Sequence, residues 1–425
     1  MSNTRDKLGL ENINNDVSVT RPSPPVHSPV ELERPEDYPQ KSRPKSALLF
    51  SNEPANALPE SAKSFHVVEK VQYKGTLRFF KHNTPGSYMS ELEAAAWSIY
   101  HLIAPGYVPE KVNAHYDSNG VFVGVSSKAI PGYIPALVKK LTDEDLNNPE
   151  IVKGNAIGTA MSYINEEEDY HTGNTDRNGM RIDFDMSIWP ILGLFKEGKP
   201  IDWFYRTRDP SKFRMTANDI NKFPDIADAN PFYWPTKPQP FLREGTRQVL
   251  SKWVAISKNA FKSVENGVYK KLNKIDDFHY YKFRTFLKFL LLSDHMLGTA
   301  IKQHLRNDVT HTDARGKHHK VCDTLLRHLS DRKEQLRKTL VHMRTFQDFL
   351  ASHGEKAMKE IRQEFADLNQ HLIASEVRKW TKKPERSAST LINNMVDTDE
   401  VEKTYDDIFD EARQQAVKSM LNRKL

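Results

Sequence analysis

Residues 168–187 read EDYHTGNTDRNGMRIDFDMS and hold four aspartates beside several large apolar side chains. Most acidic runs lie on a solvated surface, but here Asp183 and Asp185 alternate with Ile182 and Phe184. Because charged groups are rarely buried without a partner, this pattern predicts partly buried carboxylates that bind a partner group or ion.

The sequence around these carboxylates predicts a helix, a turn and a short strand. Residues 148–168, NPEIVKGNAIGTAMSYINEEE, are predicted to form a helix that delivers the chain to the acidic stretch. Arg-Asn-Gly at 177–179 predicts a turn, and residues 182–187 beyond it predict a short strand. On such a strand Asp183 and Asp185 would share one face.

The spacing of the polar residues matches what the transfer of a phosphoryl group from ATP requires. That reaction needs a carboxylate to orient the acceptor hydroxyl, oxygen ligands for Mg²⁺, and a cation near the phosphate oxygens. In protein kinases the first two come from a D-x-x-x-x-N loop and from an aspartate on the next strand. Asp169 and Asn174 have this interval, and Asp183 follows in Ile-Asp-Phe-Asp.

The string DYHTGN at 169–174 closely resembles the D-x-H-x-G-N catalytic loop of aminoglycoside and choline kinases. In those families an I-D-F strand carries the metal-binding aspartate. The resemblance implies that Asp169 orients or deprotonates the acceptor, and that Asn174 and Asp183 hold Mg²⁺. Asp185 is a second metal candidate, because it would lie on the same face of the strand.

The other polar residues of the loop have smaller expected roles. The resemblance implies that His171 is a structural hydrogen bonder and that Gly173 supplies a tight turn, since glycine tolerates positive φ. Glu168 and Asp176 receive no role and are expected to be solvated. In the competing interpretation, Asp169 and Asp176 merely cap a turn, while the later aspartates edge a strand.

Residues 64–127 are predicted to fold as strand, strand, helix, strand, strand. Residues 65–82 alternate around a Tyr-Lys-Gly break, which indicates a β-hairpin, and residues 90–103 show helical spacing. Asp-Ser-Asn-Gly at 117–120 predicts a turn before the strand that begins at Val121.

This N-terminal unit offers candidates for contacts to a nucleotide. Lys81 ends the predicted strand TLRFFK, as the ATP-contacting lysine ends strand β3 of protein kinases. The next helix should supply a glutamate partner. We prefer Glu93 over Glu91, because Glu-Ala-Ala-Ala-Trp resembles the equivalent helix of phosphoinositide and HipA-type kinases. The backbone near Ser127 and Ala129 is expected to contact the adenine. Lys81 could instead be an ordinary surface lysine.

Together these features predict an α+β, two-lobed protein-kinase-like fold with a small sheet-containing N-lobe and a helical C-lobe. The predicted units are a disordered Pro-rich tail at 1–62, the N-lobe at 63–130, the C-lobe at 131–305, and a helical extension with a basic segment and an acidic tail at 306–425. No G-x-G-x-x-G loop precedes the lysine. Its absence argues against an ordinary protein kinase, although phosphoinositide and other atypical kinases also lack it.

Longer strings between about residues 64 and 305 resemble a group of kinase-like effectors from intracellular bacteria of the Legionella type. They include ELEAAAW, GVSSKAIPGY, IDFDMSIWPI and FLKFLLLSDHMLGTAIKQHL. Members are reported variously as protein kinases and phosphoinositide kinases, and some depend on host inositol phosphates. The resemblance implies an Mg²⁺- and ATP-dependent kinase, secreted into the host cytosol, that phosphorylates a host protein. The alternatives are a phosphoinositide kinase, and a pseudokinase or adaptor that binds host proteins or inositol phosphates.

Composition bounds the other possibilities. The chain has 425 residues, a formal charge of +6 and a single cysteine, Cys322. It has no apolar run of the roughly 20 residues that a membrane helix needs. We therefore expect a soluble protein of a reducing compartment, possessing neither a signal peptide nor a disulfide.

A basic segment at 315–344 is the main charge feature. It holds nine lysines and arginines against three acids, and helical spacing would align Lys333, Arg337 and Arg344. Such a face could attract an inositol phosphate or an anionic membrane. Alternatively, these cations are only solvated, opposite a core stripe of leucines. Nucleic acid and metals other than Mg²⁺ are not expected, because the segment has neither a helix-turn-helix motif nor a second pair of zinc ligands.

Overall fold

The computed structural model has an α+β fold, in which a sheet near the N-terminus is followed by a larger set of helices. The residues that it describes are 48–49, 68–73, 75–83, 92–117, 119–136, 138–167, 170, 173–185, 187–188, 215–226, 234, 266–306, 310–312, 317–382 and 396–422.

The sheet has the strand order β1-β4-β5-β3-β2, and its four longer strands are antiparallel. The strands are β1 Leu48–Leu49, β2 Val68–Tyr73, β3 Thr76–His82, β4 Val112–Tyr116 and β5 Phe122–Lys128. Gly75, with φ 73°, lies in the tight turn of the β2–β3 hairpin, where a positive φ favours glycine. The predicted hairpin and the predicted order of strands and helix are confirmed.

Strand β1 falls within the predicted disordered tail. Leu48–Leu49 pairs in parallel with His115 and Tyr116 of β4, so the prediction is wrong for these two residues. The physical reason is that β4 would otherwise be an edge strand, whose unpaired N–H and C=O groups can bind even a short extended segment. The remainder of 1–62 lies outside the described residues.

Two helices position the acidic stretch, and further helices follow them. Helix α1 is Leu92–Ile103 and α2 is Pro149–Ile164. The later helices are α3 Ala217–Lys222, α4 Asn266–Lys271, α5 Asp276–Leu291, α6 Asp294–His304, α7 Val321–Val341, α8 Arg344–Lys382 and α9 Thr398–Asn422. Within the described ranges, no helix combines the length and the apolar character needed to cross a bilayer.

A small two-stranded sheet interrupts the helical part of the chain. Its strands, β6 Thr310–Thr312 and β7 His318–Lys320, are antiparallel and lead directly into α7. This sheet was not anticipated in the predicted helical extension, because each strand is too short to show a period of two.

Helix α1 corresponds to the helix predicted at 90–103, and it packs against the sheet and against α6. Ala94, Ala95 and Ala96 are all buried, and such small side chains allow the helix to approach its neighbours closely. Trp97 donates a hydrogen bond from Nε1 to the carbonyl oxygen of Pro109 at 2.8 Å, which ties the helix to the loop before β4.

Helix α2 is buried along most of its length, packs against α5, and ends at Ile164, short of the predicted end. Gly154 and Gly158 let the turn at 177–179 lie directly on this helix. A Cβ atom at Gly158 would be 2.3 Å from the carbonyl oxygen of Gly179. Gly179 has φ 78°, and the predicted turn is confirmed.

The predicted strand at 182–187 is wrong. Asp183 has φ 64° and Ile188 has φ 54°, values in the left-handed region that interrupts an extended chain. An isolated bridge joins Thr175 to Arg181 just before this point. The alternation of apolar and acidic side chains therefore marks a bend, because the backbone leaves the extended conformation at Asp183.

The helices after residue 306 pack onto the earlier ones. Helix α7 contacts α5 and α6, and α8 contacts α5. Between α5 and α8, Glu364 accepts hydrogen bonds from Arg284 and from Lys288, the latter at 2.5 Å. Both cations are buried, so this pairing offsets the loss of their hydration.

Lys282 of α5 is buried without a carboxylate partner among the described residues. Its Nζ donates to the carbonyl oxygen of Ile220 at 2.9 Å and lies 3.1 Å from His279 Nδ1. Burial lowers the pKa of Lys282 to about 7.

We expect this lysine to make stability depend on pH. Between about pH 7 and the ordinary lysine pKa of 10.5, the unfolded chain holds a proton that the folded chain lacks. The free energy of unfolding of the wild type, relative to that of Lys282→Met, should therefore rise with pH across this range. Urea unfolding of both proteins at several pH values measures the difference. A difference that stays constant would contradict the prediction.

Candidate active site

Four charged side chains meet where β3 faces α1. Lys81 of β3 is almost fully buried, and its Nζ contacts one oxygen from each of three carboxylates. The distances are 3.0 Å to Glu93 Oε2, 2.5 Å to Asp183 Oδ1 and 3.2 Å to Asp185 Oδ2. One oxygen of each carboxylate also lies within 4.8 Å of the others. The structure thus brings together four of the residues singled out from the sequence.

Local structure explains why each side chain is available. Lys81 is on an interior strand, between Val68 of β2 and Val125 of β5. Glu93 lies in the first turn of α1, where the helix dipole favours a negative charge. Asp183 has its left-handed φ of 64°, a conformation that aspartate adopts more readily than most residues.

The cluster is rich in negative charge, because three carboxylates face one ammonium group. Burial raises the pKa of Glu93 to about 7; the Lys81 ammonium opposes this shift, and Asp183 and Asp185 add to it. Burial alone would lower the pKa of Lys81, but the three carboxylates together raise it well above its usual range. Lys81 therefore stays protonated and holds the carboxylates near one another.

The oxygen donors suit a hard divalent cation such as Mg²⁺, which prefers carboxylate ligands. Asp183 is the most accessible donor, since its side chain is 27% exposed, against 9% for Asp185 and 2% for Glu93. A bound divalent cation would also offset the excess of negative charge. These residues therefore fit Mg²⁺, with Asp183 and Asp185 as ligands and Glu93 retained on Lys81.

The raised pKa of Glu93 predicts a second pH dependence. Between its ordinary value of 4.5 and about 7, the folded protein keeps a proton that the unfolded chain has released. The free energy of unfolding of the wild type, relative to that of Glu93→Gln, should therefore fall as pH rises through this range. Millimolar Mg²⁺ should reduce the slope. Chemical denaturation at fixed pH values measures it. A difference that stays level across this range and rises only below about pH 4.5 would show that Lys81 instead lowers the pKa of Glu93.

Four residues considered from the sequence lie outside the described residues. They are Asp169, the predicted catalytic carboxylate, His171 of the same loop, Glu168, which was expected to be solvated, and Glu91, the alternative partner of Lys81. Glu93 is described and contacts the lysine.

Asn174, the other predicted metal ligand, is buried. In the chain it precedes Asp183, from which the turn at 177–179 separates it. Its carbonyl oxygen accepts hydrogen bonds from the Ile182 N–H at 3.0 Å and from Arg181 Nη1 at 2.8 Å. The backbone of Asn174 is thus bonded to the residue that precedes Asp183.

The backbone predicted to contact adenine already takes part in the sheet. Ser127 pairs with Phe79 of β3 and with Val112 of β4. The Ala129 N–H donates to the carbonyl oxygen of Leu77 at 3.0 Å. A base could hydrogen bond to this N–H only by displacing that bond.

Asp176 is buried, although it was expected to be solvated. Its Oδ1 accepts hydrogen bonds from the backbone N–H groups of Asn178 at 2.8 Å and Met180 at 2.9 Å. Burial raises the pKa of Asp176, and these hydrogen bonds oppose the shift. The Asp-Arg-Asn-Gly spacing is typical of such a turn. Asp176 therefore shapes the turn, as the competing interpretation held.

A buried ion pair at this site was not anticipated from the sequence. Arg181 Nη2 lies 3.4 Å from Glu167 Oε2, and both side chains are fully buried. Glu167 Oε2 also accepts hydrogen bonds from Tyr100 OH at 2.8 Å and from Ser187 Oγ. The Arg181 guanidinium stands over the Tyr170 ring, 4.5 Å from its centroid. This network joins Tyr100 of α1 to Glu167, which precedes the acidic stretch, and to Arg181 and Ser187, which lie within it.

The basic segment does not form the predicted row of cations. Helix α7 ends at Val341 and α8 begins at Arg344, so Arg344 is on a different helix from Lys333 and Arg337. Each of the three cations has a carboxylate partner. Lys333 pairs with Asp294, Arg337 with both Glu334 and Glu411, and Arg344 with Asp348. The predicted leucine stripe of α7 is buried, apart from Leu326, which is partly buried.

No protein-family model matches the chain, and no curated protein matches its sequence.

Proposed function

We propose that the protein is an Mg²⁺- and ATP-dependent kinase with a two-lobed, protein-kinase-like arrangement. The observation that supports this most strongly is that Lys81 contacts both Glu93 and Asp183. In kinases, a lysine of strand β3 pairs with a glutamate of the next helix, and an aspartate after the catalytic loop holds Mg²⁺. The same residue types occur here in the same chain order.

In this proposal Lys81 neutralises the phosphate oxygens of ATP and Glu93 keeps the lysine in place. Asp183 and Asp185 hold Mg²⁺, which when bound would neutralise charge on the same phosphate oxygens. Because Lys81 Nζ lies 2.5 Å from Asp183 Oδ1, binding of the nucleotide requires the phosphate oxygens to replace this aspartate on the lysine.

The predicted loop supplies the remaining groups of the proposed mechanism. Asp169 would accept the proton of the acceptor hydroxyl and orient its oxygen for attack on the γ-phosphorus. As that oxygen bonds to the γ-phosphorus, the bond from the γ-phosphorus to the β,γ-bridging oxygen breaks and ADP leaves. Asn174 adds an oxygen ligand for the metal. The Asn174 carbonyl oxygen accepts hydrogen bonds from the Ile182 N–H and from Arg181 Nη1. They support this assignment, because they connect the loop to the segment that carries Asp183.

We propose a host protein as the acceptor and an effector secreted into the host cytosol as the biological role. A cationic surface would attract the anionic membrane that contains a phosphoinositide. Lys333, Arg337 and Arg344, the candidates for such a surface, are paired with carboxylates. The lipid acceptor is therefore the less supported alternative.

A second candidate function is that of a pseudokinase or adaptor. It is favoured by the hydrogen bond from the Ala129 N–H to Leu77, because that N–H is then not available to adenine. Such a protein would keep the charged cluster as a structural feature and would bind host proteins without transferring phosphate.

Calorimetric titration with Mg·ATP, together with transfer of label from γ-labelled ATP, tests these proposals. The acceptors offered are host-cell proteins and phosphoinositide liposomes. We expect the wild type and Asp331→Asn, an exposed aspartate of α7, to bind Mg·ATP and label protein, and Lys81→Met to do neither. Label confined to the liposomes would support the lipid kinase. If the wild type binds Mg·ATP but transfers no label, the pseudokinase is supported. If the wild type does not bind Mg·ATP, the adaptor is supported.

A further inference from the structure

The C-terminal end of α2 is capped by a side chain from α7, 168 residues later in the chain. Arg332 Nε donates to the carbonyl oxygen of Ile164, and Nη2 donates to that of Tyr163, each at 2.7 Å. The last carbonyl groups of a helix lack partners within the helix. Arg332, which is buried, therefore adds a hydrogen bond to each of these carbonyl groups, of which that of Tyr163 also accepts from the Glu166 N–H at 3.3 Å.

The same arginine also holds the residue that turns the chain beyond α2. Glu166 has φ 49°, a left-handed conformation that costs a residue with a side chain about 1–2 kcal/mol. Its carboxylate is buried and accepts hydrogen bonds from Arg332 Nη1 at 2.6 Å and from His328 Nε2 at 2.5 Å. Strained backbone of this kind persists where the surroundings impose it, and here α7 provides both contacts.

The residues on either side of Glu166 bind the segment that carries the metal-binding aspartates. The Asn165 carbonyl oxygen accepts a hydrogen bond from the Ile188 N–H at 2.6 Å. Glu167 pairs with Arg181 and accepts a hydrogen bond from Ser187 Oγ. The direction of the chain at Glu166 therefore affects both ends of the segment 181–188.

We infer that Arg332 is a positioning residue for the proposed phosphoryl transfer. By holding Glu166 in its left-handed conformation, Arg332 fixes the path of the backbone through residues 165–167. The contacts of these residues with the segment 181–188 in turn position Asp183 and Asp185. The inference rests on the proposed function and extends it, because a helix beyond the two-lobed region becomes necessary for the active site.

The first test compares the kinetics of variants of the full chain. For transfer of label from γ-labelled Mg·ATP to host-cell proteins, we expect Arg332→Met to lower kcat by about 10- to 100-fold and to change the KM for ATP by less than about threefold. The reason is that Lys81 and Glu93 lie on β3 and α1 and should still bind the nucleotide. Arg337→Met, in the same helix but on a surface ion pair, should leave both constants unchanged. A loss confined to KM, or an equal loss in Arg337→Met, would overturn the inference.

A rescue experiment separates positioning from the mere loss of a helix cap. Glycine adopts positive φ without strain, so adding Glu166→Gly to Arg332→Met should recover most of the lost kcat. Adding Glu166→Ala should not, since alanine favours negative φ. Both double variants lack the buried carboxylate and the cap on α2. If they have equal kcat values, Arg332 acts only through stability and the inference fails.

Amide hydrogen exchange keeps this test independent of the proposed function. In Arg332→Met the amides of Ile182 and Ile188 should exchange faster than they do in the wild type, while the exchange of the α8 amides should not change. Adding Glu166→Gly should restore the protection of Ile182 and Ile188. Unchanged exchange would overturn the positioning inference even in an active enzyme. Absence of turnover in the wild type would instead overturn the kinase proposal. If thermal melting shows that Arg332→Met does not fold, Arg332→Lys, which keeps the positive charge, takes its place. Its kcat and its amide exchange should then change in the same directions.

Discussion

Asp183→Asn should lower turnover of Mg·ATP by about 10³-fold or more while leaving the protein folded. The expected loss is large because, in the proposed mechanism, the substitution removes a negatively charged ligand of the metal that would neutralise the transferred phosphoryl group. Asparagine is the suitable replacement, since Asp183 has φ 64° and asparagine tolerates the left-handed region far better than alanine does. The substitution also leaves two carboxylates around Lys81 in place of three.

Three measurements check this result. Turnover is measured as label transfer from γ-labelled ATP, folding as the melting temperature, and affinity as ATP binding with and without Mg²⁺. Binding of ATP in the absence of Mg²⁺ should be unchanged or stronger, because Asp183 no longer competes for Lys81. Asp331→Asn is the matched control and should resemble the wild type in all three. Turnover within a fewfold of the wild-type value would contradict the assignment of Asp183.

The largest effect on stability is expected for Arg181→Met. This variant leaves Glu167 fully buried next to Tyr100 and Ser187 without its cation. Breaking a buried ion pair by removing one partner typically costs about 3–5 kcal/mol, because the remaining charge is uncompensated. We expect the free energy of unfolding to fall by about that amount.

Arg177→Met is the control, because it removes another arginine of the same stretch from a partly exposed pair. Arg177 Nη1 lies 3.2 Å from Asp145 Oδ1, and the Arg177 side chain is 32% exposed. Its loss should cost less than about 1 kcal/mol. Urea unfolding followed by circular dichroism measures both variants. Equal losses would mean that the contact between Arg181 and Glu167 contributes no more than a surface pair.

The elements with a clear local pattern were predictable from the sequence. The β2–β3 hairpin and α1 follow from hydrophobic periodicity and from glycine in the hairpin turn, and the prediction of α2 holds up to Ile164. The motif in 169–174 and the strand that ends near Lys81 also led to Lys81, Glu93, Asp183 and Asp185, which the structure brings together. These predictions depend on residues close in sequence or on the order of motifs along the chain.

The predictions that failed concern backbone turns and the partners of charged side chains. Residues 182–187 alternate like a strand, yet Asp183 adopts a left-handed φ of 64°. Asp176 looks like a solvated acid and is buried by its own turn. Arg344 seemed to continue a helical face, but it begins a new helix. In each case the local pattern fitted two conformations, and the pattern itself did not distinguish them.

The order of β2, β3, α1, β4 and β5 follows from the chain alone, because periodicity and turn signals are local properties. Lys81, Asp183 and Asp185 follow from motif spacing, and Glu93 from the resemblance of its helix to those of known kinases. The pairing of Arg181 with Glu167, and the capping of α2 by Arg332, cannot be read from the chain alone. A buried cation gains its stability from a carboxylate or carbonyl group that the fold brings close, and no pattern along the chain records which distant residue that will be.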